Sequence, residues 1–116
     1  IQPLFANLAD GYYENEEYLL AAEHYEFAIQ RAEFEYAYYE NAAVSYYLAN
    51  RLEKALNYFT KVIEEFEIND GKSEFYKGIL LIELDSVEKG CDYIIKSADL
   101  GFGEDSFDRV YKSFCN

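Results

Sequence analysis

The chain has 116 residues, 51% of them hydrophobic, with 13 Tyr and 9 Phe but only one Pro and six Gly. That composition suits one packed domain, excludes an intrinsically disordered segment and, with so few breakers, favours helices throughout. The formal charge of −13 repels phosphates and anionic membrane surfaces, and no apolar run approaches the roughly 18 residues of a bilayer span, so neither nucleic acid binding nor membrane insertion is expected.

The charge is uneven. Residues 1–50 hold nine Asp/Glu against one Arg, and residues 51–116 hold fourteen against nine Lys/Arg. Solvated helix faces account for most such runs, and steering of a basic partner is the functional reading. No signal peptide is present, and a chain that opens at Ile1 and lacks Met reads as a processed product or a piece of something longer.

In chain order, helices are predicted at 3–14, 18–31, 36–49, 52–66, 73–84, 87–99 and 105–114. The first begins at Pro3, whose missing N–H costs nothing in a first turn. It carries Phe5, Leu8, Ala9 and Tyr12, and the second carries Ala21, Tyr25 and Ala28. Sliding this pair along the chain until Phe5 meets Tyr39 lays the other six positions, without a gap, on Ala42, Ala43, Tyr46, Ala55, Phe59 and Val62 of the third and fourth helices. Small residues at Ala9, Ala21, Ala43 and Ala55 let paired helix axes approach, while the aromatics Phe5, Tyr12, Tyr25, Tyr46 and Phe59 fill the space to either side.

The Asn69-Asp70-Gly71 turn signal then precedes a weaker copy. A shift longer by one position puts Gly78, Leu81, Gly90, Ile94 and Ser97 on Ala43, Tyr46, Ala55, Phe59 and Val62, with Glu74 in place of the first aromatic and Phe75 beside it. The last helix is amphipathic through Phe107, Val110, Tyr111 and Phe114, and is assigned as a cap. Asn50 and Gly101 suit helix C-termini.

The spacing Phe5-x2-Leu8-Ala9-x2-Tyr12, then Ala21-x3-Tyr25-x2-Ala28, resembles the tetratricopeptide repeat (TPR). The interval from Phe5 to Tyr39 is the period of that family. The family's closing Pro is replaced by Glu33 and Glu67, and the Lys-Ser-Ala-Asp-Leu-Gly run at 96–101 resembles the end of the related Sel1-like repeat. The resemblance implies an all-α, right-handed α-solenoid of antiparallel helix pairs. Its repeats would span 2–35, 36–69 and a degenerate 71–103, followed by a capping helix at 104–116.

It also implies a non-catalytic interaction module that takes a peptide or partner helix on a concave face lined by the first helix of each repeat. The matching positions are Ala6, Asn7, Asp10 and Tyr13; Glu40, Asn41, Val44, Tyr47 and Leu48; and Phe75, Tyr76, Ile79 and Ile82. Of these, Asn7, Asp10, Tyr13, Asn41, Val44, Tyr47, Tyr76 and Ile79 are the candidate contacts. Family members that grip a C-terminal carboxylate use Lys, Arg and Asn here. Only Asn7 and Asn41 remain, while Asp10, Glu40, Val44 and Ile79 stand elsewhere, so the lining suits an apolar or basic segment instead. The alternative is a structural segment of a longer solenoid or a self-associating unit, which an exposed apolar face on helix 3–14 would favour.

Two cysteines make no zinc site by themselves. In the repeat arrangement Cys91 and Cys115 lie at nearly equal distances before and after a hairpin turn near Phe102, at similar height, which permits a disulfide; two reduced, apolar thiols are the other reading. The disulfide would favour a bacterial extracytoplasmic (periplasmic) setting, since the C-terminal pattern resembles the ends of bacterial TPR proteins; reduced thiols would favour the cytoplasm. No cofactor or metal is expected. His24, the sole histidine, has no nucleophile beside it, and the pairs Glu16–Glu17, Glu64–Glu65 and Glu104–Asp105 point apart on their helices, so an enzyme is not expected.

Overall fold

The structure, a computed structural model, describes residues 4–31, 36–68 and 70–115, with the backbone alone at 104 and 105. Contacts divide the chain into two compact units, Ile1–Lys61 and Val62–Asn116. The described residues are helical, without strands. Pro3, Asn69 and the first inter-repeat turn lie outside them.

The first unit contains α1 (Leu4–Glu14), α2 (Tyr18–Arg31), α3 (Tyr36–Leu48) and α4 (Leu52–Lys61), each packed on the next. Small residues sit where the helices meet. Ala9, Ala21 and Ala42 share one fully buried cluster with Tyr25, and Ala43 and Ala55 repeat the Ala9 and Ala21 positions one period on, also fully buried. Tyr25, Tyr46 and Phe59 are buried as expected, each worth on the order of 2–3 kcal/mol of apolar burial. Phe5 and Tyr12 are only half-buried, whereas their counterparts Tyr39 and Tyr46 are covered. The difference is one of position: α3 has α2 against its flank, and no described element covers the corresponding flank of α1.

The second unit contains a π-helical turn at Val62–Phe66, then α5 (Lys72–Glu83), α6 (Val87–Asp99), α7 (Glu104–Val110) and a closing π-helical turn at Tyr111–Cys115. Here the crossing is tighter. A Cβ on Gly78 would stand 2.8 Å from the carbonyl oxygen of Gly90, and one on Gly90 would stand 2.7 Å from that of Gly78. Ile94, Leu80 and Ile82 are buried in this unit. Glu74, in the place of an aromatic, is fully buried with neither carboxylate oxygen hydrogen-bonded among the described residues, a local cost that the aromatic copies avoid. Phe114, expected on the apolar face of the cap, is 54% exposed. The closing π turn adds residues per turn and rotates position 114 away from Phe107 and Val110. Cys91 and Cys115 are joined in a disulfide, Cα atoms 5.6 Å apart, tying the C-terminal turn to α6.

One closure recurs along the chain. Glu16 N–H donates to Tyr13 O and Glu17 N–H to Tyr12 O, at 3.0 and 2.8 Å. The same pair of bonds runs from Asn50 and Arg51 to Tyr47 and Tyr46, from Asp85 and Ser86 to Ile82 and Leu81, and from Gly101 and Phe102 to Ala98 and Ser97. This is the Schellman closure, which needs a left-handed residue. Glu16, Asn50, Asp85 and Gly101 have φ of 62°, 61°, 67° and 88°. Asn50 and Gly101 are the residue types that announce such a cap. Glu16 and Asp85 occupy the same register without announcing it.

Left-handed backbone costs a β-carbon-bearing residue about 1–2 kcal/mol, partly offset in glycine by a freer unfolded chain. Glu16→Gly and Asp85→Gly are each expected to gain about 0.5–1 kcal/mol, read as a raised denaturant midpoint at constant slope. Opening the disulfide acts the other way. Its sequence separation of 24 predicts a loss of about 3 kcal/mol on the chain-entropy model for Cys91→Ser/Cys115→Ser, measured by the same unfolding curves.

Candidate partner-binding face

The repeat register positions the candidate residues. Asn7, Asp10 and Tyr13 recur at every third position on one side of α1, and Asn41, Val44 and Tyr47 occupy the same places one period later on α3. In the second unit, Tyr76 and Ile79 hold the first two of these places on α5. Asn7 and Asp10 are exposed; Tyr13, Asn41, Val44, Tyr47, Tyr76 and Ile79 are half-buried. Ala6, Glu40 and Ile82, placed in the wider lining by sequence, are buried instead. Ala6 and Glu40 immediately precede Asn7 and Asn41, and a helix turns by about 100° per residue, which carries them into the packing.

Several candidates also serve the fold. The Asp10 carboxylate accepts a hydrogen bond from the hydroxyl of buried Tyr25 on α2. Tyr13 flanks the alanine cluster and meets Tyr18 edge-on, ring centroids 5.3 Å apart. Tyr76 meets Phe75 edge-on at 5.9 Å, and Phe75 in turn leans on Phe102 at 5.6 Å.

A second polar cluster was not singled out by sequence. Glu26 on α2 accepts the hydroxyl of Tyr46 on one oxygen and that of Tyr58 on the other, the latter at 2.6 Å. The two rings stack at 5.9 Å with 9° between planes, and the Lys54 ammonium lies 5.1 Å from the Tyr46 centroid. Glu26, Lys54, Asn57, Tyr58 and Lys61 line a depression of about 340 Å³. The sequence signal available was that a buried tyrosine needs a partner for its hydroxyl, and acids on the neighbouring helix can supply it.

Burial raises the pKa of Tyr25, Tyr46 and Tyr58 well above the ordinary value of 10.0, and the hydrogen bonds to Asp10 and Glu26, with the carboxylate charges, raise them further. These phenols therefore keep their protons in the folded state after the unfolded chain has lost its own.

The remaining chemistry is sparse. His24 donates its Nδ1 proton to Leu20 O at 2.8 Å and packs among the rings of Phe5, Tyr12 and Phe27. Among the described residues no three His, Cys, Asp or Glu side chains are grouped to hold a metal, and no helix is long and apolar enough to cross a membrane.

No family model and no curated protein matches the chain. Solved structures do. The first TPR domain of Spaghetti (RPAP3), bound to the HSP90 peptide SRMEEVD, aligns with a TM-score of 0.85 at 12% identity, over 96% of this chain and 87% of that one. The Sgt2 TPR domain from Aspergillus fumigatus aligns at 0.76 and 18% identity, over 95% and 74%. The Yersinia enterocolitica type III secretion chaperone SycD, in complex with a peptide of the translocator YopD, aligns at 0.74 and 9% identity, over 96% and 84%. The chain has the TPR fold. The alanines buried at its helix contacts are those the sequence singles out, and the likeness covers nearly the whole chain.

The raised tyrosine pKa values link the stability of the fold to pH in the alkaline range. Each such tyrosine contributes stability that is fully present below about pH 10 and is lost as pH rises toward its folded-state value, because the unfolded chain then binds fewer protons. Unfolding free energy is expected to fall above about pH 10, and the Tyr46→Phe/Tyr58→Phe variant to show a shallower fall, checked by denaturation at stepped pH with tyrosinate absorbance as a second probe.

Proposed function

We propose that the chain is a non-catalytic protein-interaction module. It holds an apolar or basic peptide, or a partner helix, against Asn7, Asp10 and Tyr13 of α1 and Asn41, Val44 and Tyr47 of α3. Tyr76 and Ile79 of α5 are the matching contacts of the second unit. The observation that carries this reading is the recurrence of one accessible side on α1 and α3 in the same register, with an amide, an aromatic hydroxyl and an apolar or acidic residue on offer. Amides and phenols hydrogen-bond a peptide backbone, and the rings and Val44 supply apolar surface.

The likeness to peptide-bound TPR structures supports the mode of binding, and the charge sets this chain's ligand apart. SRMEEVD carries three carboxylate side chains. Neither α1 nor α3 has a Lys or Arg, whereas Asp10 and Glu14 stand on α1, so an acidic tail would meet like charge. A basic or apolar segment meets no such penalty.

In this reading the repeats span 2–35, 36–69 and 71–103, the last of a TPR/Sel1 type, with a cap at 104–116. The Cys91–Cys115 disulfide supports an oxidising, extracytoplasmic setting.

The test is peptide selection from a displayed random library by wild type and by Val44→Glu/Tyr47→Glu, with helicity checked by circular dichroism. Wild type is expected to enrich apolar and basic sequences, and the variant to bind the winners at least about tenfold more weakly, near ~1.4 kcal/mol. Equal binding by a folded variant would move the interface elsewhere.

A further inference from the structure

The first unit contains its own template for a second docking surface on α1, which borders the proposed peptide face at Asn7 and leaves out Asp10 and Tyr13. On α3, Ala42 and Ser45 are fully buried and Tyr46 is 2% exposed; α2 packs against this helix, and its Glu26 receives the Tyr46 hydroxyl. One period earlier the same positions of α1 are Leu8, Gly11 and Tyr12, with Leu4 in the place of Tyr38. Here Leu4 is 58% and Leu8 43% exposed, and Gly11 is open, with nothing within 4 Å of where its Cβ would stand. Tyr12 makes no side-chain hydrogen bond among the described residues, and its ring rests on His24. An open depression of about 630 Å³ is floored by Leu8, Gly11 and Tyr12 and lined as well by Asn7, Glu14, Asn15 and Glu17. Helical repeats end on polar faces when nothing stacks on them, whereas this one exposes Leu4 and Leu8 beside its amides and carboxylates.

The geometry points to a cationic amphipathic helix as its occupant. A helix fits because α2 fills the equivalent place on α3, and Gly11 leaves the backbone flush for a close crossing, as the small Ser45 does one period later. The charge chooses among helices. Residues 4–31 carry six carboxylates, at positions 10, 14, 16, 17, 23 and 26, against Arg31 alone, and Arg31 is drawn over the Phe5 ring at 4.5 Å. Glu14 and Glu17 stand at the rim of the depression. A second copy of this chain would bring an equally acidic hairpin against the first; a helix with apolar residues at i, i+3, i+4 and i+7 and Lys elsewhere brings the complement. Tyr12 lines the depression and carries a hydroxyl able to accept from a cation. This inference does not depend on the proposed peptide face, and the two are separable by mutation.

The probes are two synthetic helices with the same Leu face, one with Lys and one with Glu at the remaining positions, titrated calorimetrically into the full chain at physiological ionic strength. The Lys helix is expected to bind and the Glu helix to bind at least about tenfold more weakly. Leu4→Glu/Leu8→Glu raises the negative charge while removing the apolar seat, so a loss of about tenfold or more reads the seat and not bulk attraction. Gly11→Gln is neutral, favours the helix and obstructs only a close crossing; a similar loss is expected, with Val44→Glu/Tyr47→Glu unchanged. Unaltered or tighter binding by Leu4→Glu/Leu8→Glu overturns the inference, as does failure of the Lys helix to bind wild type. Loss in Val44→Glu/Tyr47→Glu alone would place the helix on the proposed peptide face instead. Sedimentation of the chain by itself as a dimer that Leu4→Glu/Leu8→Glu dissolves would make a second copy the occupant and overturn the cationic one.

Discussion

Close approach of paired helices is the constraint from which the other features follow. Where Ala9 and Ala21 meet, and where Ala43 and Ala55 repeat them, no side chain separates the axes, so the large residues one turn away must turn aside and fill the flanks. At Gly78 and Gly90 even a methyl group is excluded, since each carbonyl lies within 2.8 Å of the missing Cβ of the other residue. Size order along the sequence is therefore a record of distance between helices. A volume change of one methylene is felt in such packing.

That packing fills its flanks with tyrosine more than with leucine, and this ties the core to the acidic surface. A buried phenol needs a hydrogen-bond partner, and Asp10 and Glu26 provide it to Tyr25, Tyr46 and Tyr58 from the edge of the fold. Part of the chain's negative charge is thus structural. Asp10 belongs at once to the first hairpin and to the proposed partner face, so a charge on that face is oriented by a buried hydroxyl. Glu74 is the counterexample, a carboxylate set into an aromatic position with neither oxygen hydrogen-bonded among the described residues.

Repetition also makes the edges of the first unit interpretable. Two helices with the same register have different exposure, and both their neighbours and the residues at matching positions differ. Ala42 is buried in one cluster with Ala21 and Tyr25 of α2, whereas Leu8 is exposed and a Cβ on Gly11 would meet nothing within 4 Å. The larger residue at position 8 offers more apolar surface than Ala42 would, and it does so on a chain whose net charge is −13.

The succession of helices among the described residues, most of their limits and the small residues buried between them were determined by the sequence alone, because each rests on local propensity or on a size pattern that occurs twice. The candidate face was legible only as positions on helices. Which of them stay accessible was decided by packing, which buries Ala6, Glu40 and Ile82 and leaves Asn7 and Val44 in reach. The sequence left the cysteines open between a disulfide and two thiols, since side-chain direction across a hairpin depends on both helices; the structure joins them. The left-handed Glu16 was likewise hidden, because its residue type disfavours that conformation and only the demand for a short turn between packed helices imposes it. Tertiary structure alone assigned Glu26 to two tyrosines from two other helices, a contact between residues far apart in the chain that no local pattern encodes.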